Sequence, residues 1–185
     1  PFDNLLYAKT LRSTKAKAKI KSIKLPEIPD GYFIIDKNDV PGKNRMRTVV
    51  SYHPIFAEDE VQYVGQLILL VVGENREIIY DILSNIQVNY EAEIPLLTLK
   101  DAEKTSAVFT DYHYDKGEPD EAFKKAKRII EDDFSTGYQE HAYLEPNGMA
   151  AEYKNGTLFI YGSMQCPFYA KNALIETMDL PEDKI

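Results

Sequence analysis

A strand–helix–strand pattern between residues 61 and 91 constrains the fold more than any other feature of this sequence. The apolar run 67–72 predicts a buried strand that ends at Gly73. Between residues 74 and 86 the apolar side chains recur at helical spacing, at Ile78, Ile79, Ile82, Leu83 and Ile86. Residues 87–91 then predict another strand. Because strands joined by one helix commonly form a right-handed βαβ crossover, the pattern predicts an α/β fold with a βαβ unit.

Turn and helix-start signals predict the remaining elements. Asn155-Gly156 lies between two apolar runs, which is typical of a β-hairpin. Thr98 precedes Asp101 by three residues, a helix-start pattern, and Pro167 suits the first position of a helix. Strands are expected at 5–11, 17–25, 32–35, 61–64, 128–136, 148–153 and 157–161, and further helices at 119–126 and 167–178.

Charge is unevenly distributed along the chain, which bears on the ligands to expect. Residues 1–50 contain 11 Lys/Arg and 5 Asp/Glu, residues 51–185 contain 11 and 25, and the net charge is −8. In residues 15–21 lysine alternates with small or apolar residues, which indicates a strand with one exposed face. Since no aromatic residue interleaves these lysines, a nucleic acid is not an expected partner. The longest apolar run is far shorter than the roughly 20 residues that span a bilayer, and we expect no signal peptide or membrane partner.

Cysteine and histidine usage limits the metal chemistry of the chain. Cys166 is the single cysteine, which excludes an internal disulfide and an iron–sulfur cluster held by this chain alone. It also argues against a structural zinc site and fits a reducing compartment, so a cytoplasmic location is expected. The histidines are too far apart in sequence to form a ligand-spaced pair. The acidic runs 58–60 and 131–133 are interpreted as solvated, because adjacent strand residues point to opposite faces.

Two short segments are candidates for a functional site. Residues 137–146 concentrate polar side chains beside apolar ones, namely Gln139, Glu140, His141, Tyr143 and Glu145. If buried, these groups must hydrogen-bond each other or a ligand, so a structural polar network and a ligand site both remain open. Residues 163–168 join a predicted strand to a predicted helix, where free backbone N–H groups can meet a ligand. Gln165 in this segment can donate to a ligand oxygen without adding charge.

Four stretches resemble one known family, in the same order along the chain. They are Leu6-Tyr7-Ala8 with residues 11–20, residues 56–72 around Val64-Gly65-Gln66, Val88-Asn89-Tyr90-Glu91 with Pro95, and Gln139-Glu140-His141-Ala142-Tyr143-Leu144-Glu145 followed by Gln165. On these stretches the chain resembles the large subunits of molybdenum hydroxylases, the family of xanthine dehydrogenases and aldehyde oxidases. The resemblance implies an α/β hammerhead domain at residues 1–104. It also implies the truncated, N-terminal part of a molybdenum cofactor-binding domain at residues 105–185.

The resemblance implies one site residue in this chain. Gln165 matches the family glutamine that hydrogen-bonds an oxo ligand of molybdenum, so it is the expected cofactor-binding residue. In the sequences of the family, the glycine-rich loop and the catalytic glutamate come after the part that this chain matches. We therefore expect no catalytic residue and no direct metal ligand among these residues, and a fragment that is inactive by itself.

In the complete enzyme the resemblance implies hydroxylation of a purine, another N-heterocycle or an aldehyde with water-derived oxygen. It implies a molybdenum–molybdopterin cofactor, with iron–sulfur clusters and FAD on other domains or subunits as partners, and it is compatible with a homo-oligomer. The alternative is a non-catalytic assembly or ligand-binding module that keeps the hammerhead fold. A carbon monoxide dehydrogenase-type or selenium-dependent oxidoreductase is a third hypothesis, because the residues that choose the substrate are expected outside the chain.

Overall fold

Three antiparallel sheets and four α-helices are formed by the residues that the computed structural model of the chain describes, which are 2–47, 53–108 and 110–185. The strands are β1 (Tyr7–Arg12), β2 (Ala18–Lys24), β3 (Phe33–Ile35), β4 (Glu60–Val61), β5 (Leu67–Gly73), β6 (Gln87–Ala92), β7 (Met149–Lys154) and β8 (Thr157–Gly162). The helices are α1 (Arg76–Asn85), α2 (Leu99–Thr105), α3 (Pro119–Lys125) and α4 (Pro167–Met178), followed by a 3-10 turn at Glu182–Lys184. Within the described ranges, no helix is both long enough and apolar enough to span a bilayer.

Contacts divide the chain into two compact units. The first contains Pro1–Pro95 together with Asn147–Ile185, and the second contains Leu96–Pro146. The first unit holds all eight of the described strands, whereas the second holds helices α2 and α3.

Strand β5 and helix α1 form the core of the first unit. β5 lies between β1 and β3, with Leu69 opposite Leu11. Ile68, Leu69 and Val71 of β5 are buried together with Ile79 and Ile82 of α1. Ile79 is completely buried, whereas the adjacent Ile78 is 38% exposed. The predicted helical stripe is therefore confirmed for Ile79, Ile82 and Ile86, which are buried, but Ile78 lies outside the buried face.

Local chemistry decides where α1 begins. The side chain of Asn75 accepts hydrogen bonds from the backbone N–H groups of Glu77 and Ile78, at 2.8 and 3.4 Å. These N–H groups have no earlier carbonyl of the helix as a partner, so an N-cap side chain stabilises this end. The helix consequently begins at Arg76, slightly later than the first residue of the predicted segment.

The second sheet has the order β4-β2-β6 and carries the alternating lysines. Ala18 is completely buried, while Lys19 and Lys21 are exposed, so the predicted strand with one exposed face is confirmed. Lys21 forms an ion pair with Glu91 across the β2–β6 ladder, at 2.9 Å. Of the strand predicted at 61–64, only the short β4 pairs with β2, and the chain then turns at Gly65, which has a φ of 91°.

The strand–helix–strand order is confirmed, but the βαβ crossover into one sheet is wrong. β5 and β6, which flank α1, lie in different sheets, and all pairings among the described strands are antiparallel. Both edges of β5 are hydrogen-bonded to other strands, so β6 pairs with β2 instead. The apolar run in β5 reflects burial at a sheet centre, a pattern that central antiparallel strands share with parallel ones.

The hairpin and the helix predicted after residue 148 are confirmed. β7 and β8 pair around Asn155 and Gly156, whose φ angles of 53° and 77° are both left-handed. Such a turn matches the right-handed twist of the flanking strands, which is why Asn-Gly is favoured there. Pro167 is the first residue of α4, where its missing N–H leaves no hydrogen bond unmade.

The second unit confirms two helices and contradicts one predicted strand. Thr98 caps α2 by accepting from the N–H of Asp101 at 3.2 Å. Helix α3 begins at the predicted residue and ends at Lys125, one residue before the predicted end. The strand predicted at 128–136 is wrong, because these residues have no regular structure. Ile130 and Phe134 are 84% and 91% exposed. A strand needs a neighbour for its backbone groups, and none of the described residues pairs with this segment.

Candidate functional site

Gln165 lies in the short turn that joins strand β8 to helix α4. The turn comprises residues 163–166, and the Gln165 side chain is exposed. Cys166 occupies the N-cap position of α4 with no side-chain capping hydrogen bond, and its thiol is free and exposed. The sequence therefore predicted the setting of Gln165 correctly, at the end of a strand and the start of a helix.

The turn presents neutral hydrogen-bond donors. Pro167 has no N–H, and the N–H of Tyr169 donates to the carbonyl oxygen of Cys166 at 3.1 Å. The N–H of Phe168, at the second position of α4, is too early in the helix to reach an intrahelical carbonyl. Together with the Gln165 amide it gives this turn two donors that carry no charge, which suits a ligand oxygen.

An apolar cavity of about 230 Å³ lies beside the turn. Its lining comes from β8, the turn, α4 and Ile185, and includes Leu158, Met164, Phe168 and Leu174, with Lys171 as the one charged side chain. The cavity can accept an apolar group but offers few polar contacts, so it can contribute apolar packing beside the turn and few hydrogen bonds.

The residues at this turn fit a cofactor that brings its own metal ligands. Among the residues that the structure describes, no group of three or more His, Cys, Asp or Glu side chains is arranged to hold a metal ion. A glutamine amide does not replace such ligands, but it can hydrogen-bond an oxygen atom already bound to a metal. The chemistry of the turn thus agrees with the molybdenum cofactor that the family resemblance implies, with Gln165 as a hydrogen-bonding partner.

The other candidate segment, residues 137–146, lies in the second unit and has no regular structure. Its polar side chains, including Gln139, Glu140, His141 and Glu145, are exposed. Burial was the condition under which these groups would need to bond each other or a ligand. Because these four side chains are exposed, that condition is not met for them, and the role of the segment stays a prediction.

One of the acidic runs, residues 58–60, forms ion pairs at the surface. Glu58 accepts two hydrogen bonds from the Arg45 guanidinium, at 2.6 and 3.0 Å. These bonds lower the pKa of Glu58 and raise that of Arg45. Asp59 pairs with Lys37 at 2.9 Å. All three residues of run 58–60 are exposed, so the prediction that this run is solvated is confirmed. Its ion pairs with Arg45 and Lys37 could not be predicted, because the loop that brings Arg45 to Glu58 is not visible in local spacing.

Sequence reasoning missed the segment 42–47, which contacts the far end of α4. The backbone N–H groups of Gly42 and Lys43 donate to carbonyl oxygens of Thr177 and Glu176, at 2.8 and 2.9 Å. In the sequence Pro41-Gly42 indicates only a turn. No local signal pairs it with a helix more than 130 residues later.

Comparison with known proteins gives matches along the whole chain. The family model described as "Aldehyde oxidase and xanthine dehydrogenase, a/b hammerhead domain" matches residues 1–94. The model described as "Molybdopterin cofactor-binding domain" matches residues 99–185. These matches confirm the predicted α/β hammerhead fold followed by part of a cofactor-binding domain.

Individual proteins agree with the family models. The chain is 30% identical to the nicotinate dehydrogenase large molybdopterin subunit of Eubacterium barkeri, over 100% of this chain and 46% of that protein. It is 27% identical to the xanthine dehydrogenase/oxidase of Mus musculus, over 100% of this chain and 14% of that protein. The crystal structure of quinoline 2-oxidoreductase from Pseudomonas putida 86 superimposes with a TM-score of 0.80 at 21% identity, over 100% of this chain and 26% of that one. The chain thus spans less than half the length of these relatives.

Proposed function

This chain belongs to the aldehyde oxidase and xanthine dehydrogenase family of molybdenum hydroxylase large subunits, and on that basis we propose that it works as part of a molybdopterin-dependent hydroxylase. Residues 1–104 are proposed as its hammerhead domain and residues 105–185 as the N-terminal part of its molybdenum cofactor-binding domain. The observation that carries the proposal is the match of residues 99–185 to a molybdopterin cofactor-binding domain. The exposed Gln165 turn within that range supports it.

The proposed reaction is hydroxylation of a purine, another N-heterocycle or an aldehyde, with oxygen derived from water. When bound, the molybdenum cofactor supplies the two-electron oxidation and the oxygen transfer. The catalytic base and the residues that select the substrate are proposed to lie in the rest of a longer protein. This chain on its own is proposed to be inactive.

Gln165 is proposed to contact the cofactor. Its amide N–H would donate a hydrogen bond to an oxygen atom of the group and so help to set the geometry and electron demand of that oxygen, without adding a charge. The N–H of Phe168 provides an adjacent donor on a fixed backbone. A helix N-terminus favours partial negative charge, so the start of α4 supports the same oxygen-binding role.

The partners are proposed from the family. Iron–sulfur and FAD domains or subunits of the same enzyme would carry electrons away, since the single Cys166 cannot hold a cluster by itself. A homo-oligomer of the complete enzyme is compatible with this arrangement. A cytoplasmic location is proposed on the same cysteine usage.

The test replaces Gln165 in the full-length protein, produced with its partner subunits. Gln165→Ala should lower molybdenum content or turnover about 10- to 100-fold, since losing a hydrogen bond to a charged or strongly polar group costs about 1.5–3 kcal/mol. Metal analysis and a panel of purine, N-heterocycle and aldehyde substrates provide the measurements. Gln87→Ala, at an exposed glutamine on β6, is the matched control and should change neither value.

Two outcomes would contradict the proposal. Unchanged molybdenum content and turnover in Gln165→Ala would remove Gln165 from the cofactor site. A full-length protein that contains no molybdenum and oxidises none of the panel would favour the non-catalytic assembly or ligand-binding module with the hammerhead fold.

A further inference from the structure

The segment 42–47, which we call the strap, supplies backbone donors to the C-terminal end of α4. The N–H of Gly42 donates to the carbonyl oxygen of Thr177 at 2.8 Å, and the N–H of Lys43 donates to that of Glu176 at 2.9 Å. The last carbonyls of a helix have no intrahelical partner. The strap satisfies two of them, so this end of α4 is held by backbone atoms whose positions depend on the path of residues 42–47.

Glu176 adds an ionic contact at the same place. Its carboxylate accepts a hydrogen bond from Arg47 at 2.7 Å and lies 3.4 Å from the Lys43 ammonium. The hydrogen bond from Arg47 lowers the pKa of Glu176. The Glu176 side chain is 18% exposed, whereas the side chains of Arg47 and Lys43 are 56% and 71% exposed. Cations beside a helix C-terminus also interact favourably with the helix dipole.

Gly42 allows the close approach. A Cβ atom added there would collide with the carbonyl oxygen of Glu176, and it would lie 3.1 Å from the carbonyl oxygen of Thr177. Neither neighbour is a flexible side-chain end, so backbone would have to move. The fit between the strap and α4 therefore requires glycine at position 42.

The other side of the strap is fixed to the core of the first unit. Asn44 and Phe56 form a reciprocal pair, in which the Asn44 amide donates to the Phe56 carbonyl at 2.8 Å and accepts from the Phe56 N–H at 2.9 Å. Phe56 is buried. Arg45 binds Glu58 through both of its terminal nitrogens. The strap thus contacts α4 through Gly42, Lys43 and Arg47. It contacts the part of the first unit that precedes residue 95 through Asn44 and Arg45.

Helix α4 connects the strap to Gln165. It contains 12 residues and is therefore about 18 Å long. A tilt of about 5° at the clamped end would move the other end by about 1.6 Å. A misplacement of about 1 Å can reduce catalysis about 100-fold where geometry matters.

We propose that the strap is a positioning element, in which Gly42, Arg47 and Glu176 set the orientation of α4 and thereby the placement of Gln165. The inference rests on the proposed function of Gln165. It assigns no contact with cofactor to the strap itself, which acts only through the helix.

Charge reversal in the full-length protein with its partner subunits tests the proposal. Glu176→Arg and Arg47→Glu should each speed hydrogen exchange of the amides in residues 165–178 about tenfold and lower molybdenum content or turnover about tenfold. The double variant should restore both readouts only in part, because it re-forms the pair between positions 47 and 176 with opposite polarity but leaves Lys43 facing a like charge at position 176. Glu91→Arg, which breaks the exposed Lys21–Glu91 pair, is the matched control and should leave both unchanged.

The outcomes separate failure of the strap from failure of the proposed function. If the single variants leave hydrogen exchange unchanged, the strap is not a positioning element. The same conclusion follows if they speed exchange but leave molybdenum content and turnover intact, while Gln165→Ala lowers those two values. If Gln165→Ala itself has no effect, the proposed function fails first and the inference fails with it. If a reversal variant does not accumulate, Glu176→Gln is used instead, because it keeps the shape of the side chain and removes its charge. This variant should produce a smaller, roughly threefold change in both readouts. No change in either readout would overturn the proposal.

Discussion

Replacing Ile79 by alanine tests the register of α1 on the central sheet. Ile79 is completely buried against β5, whereas Ile78, one position earlier, is 38% exposed. The substitutions Ile79→Ala and Ile78→Ala remove the same atoms and improve helix propensity by the same small amount. Their difference therefore reports burial alone.

The expected magnitude follows from the atoms removed. Isoleucine to alanine deletes three carbons, and at about 0.8 kcal/mol for each buried carbon the transfer contribution is about 2.4 kcal/mol. A residual cavity at a fully buried site brings the cost for Ile79→Ala to about 3–4 kcal/mol. Ile78 is partly exposed and leaves no enclosed cavity, so Ile78→Ala should cost about 1 kcal/mol. The difference of about 2–3 kcal/mol corresponds to a roughly 30- to 150-fold difference in the equilibrium constant for opening of α1 and β5, which we call the opening constant.

Native-state hydrogen exchange measured by mass spectrometry, on peptides covering β5 and α1, gives that opening constant without requiring the whole protein to unfold in one step. We expect Ile79→Ala to speed exchange in these peptides far more than Ile78→Ala does. Equal acceleration in the two variants would refute the assignment of Ile79 to the buried face, and with it the way α1 covers the sheet.

Two further predictions concern a helix cap and an ion pair. Asn75→Ala should destabilise α1 by about 1 kcal/mol, because it removes the acceptor for the N–H groups of Glu77 and Ile78. Asn75→Asp should retain most of the stability, because its carboxylate also accepts these hydrogen bonds. Equal hydrogen-exchange rates for the first turn of α1 in the two variants would contradict this prediction. The hydrogen bonds from Arg45 lower the pKa of Glu58 below its ordinary 4.5. The Glu58 carboxylate is therefore protonated more readily in the unfolded chain than in the folded one, and the ion pair stabilises the fold at pH values above 4.5. The Tm difference between wild type and Glu58→Gln should be present at about pH 7 and disappear as the pH falls through the lowered pKa; a difference that persists in acid would argue against the ionised pair.

Elements defined by local chemistry could be predicted from the sequence. The isoleucine stripe of α1, the Asn155-Gly156 hairpin and the helix that begins at Pro167 all depend on residues close together in the chain. Backbone preferences and the side-chain period act over these short distances, so the same signals operate before and after folding.

Strand pairing could not be predicted in the same way. The run in β5 indicated a buried strand, but whether β6 would pair with it or with β2 depends on which backbone edges are already occupied. The segment 128–136 shows the converse, since a strand-like sequence forms no strand when no described residue pairs with it. Hydrogen-bonding partners distant in sequence decide both cases.

For the candidate site, the sequence located Gln165 at a strand-to-helix turn, and the structure places it there; its contact with a cofactor stays a prediction. The sequence could not locate the strap, because Arg47 and Glu176 are separated by 129 positions. Gly42 carries a turn signal in the sequence, yet its close approach to the end of α4 arises only when the two parts of the first unit pack together. By itself the sequence determined the local elements, the family resemblance and the type of residue at the turn. Tertiary structure alone decided the sheet order and what holds α4, because hydrogen bonds and ion pairs between distant segments form only where the whole chain brings their atoms within reach.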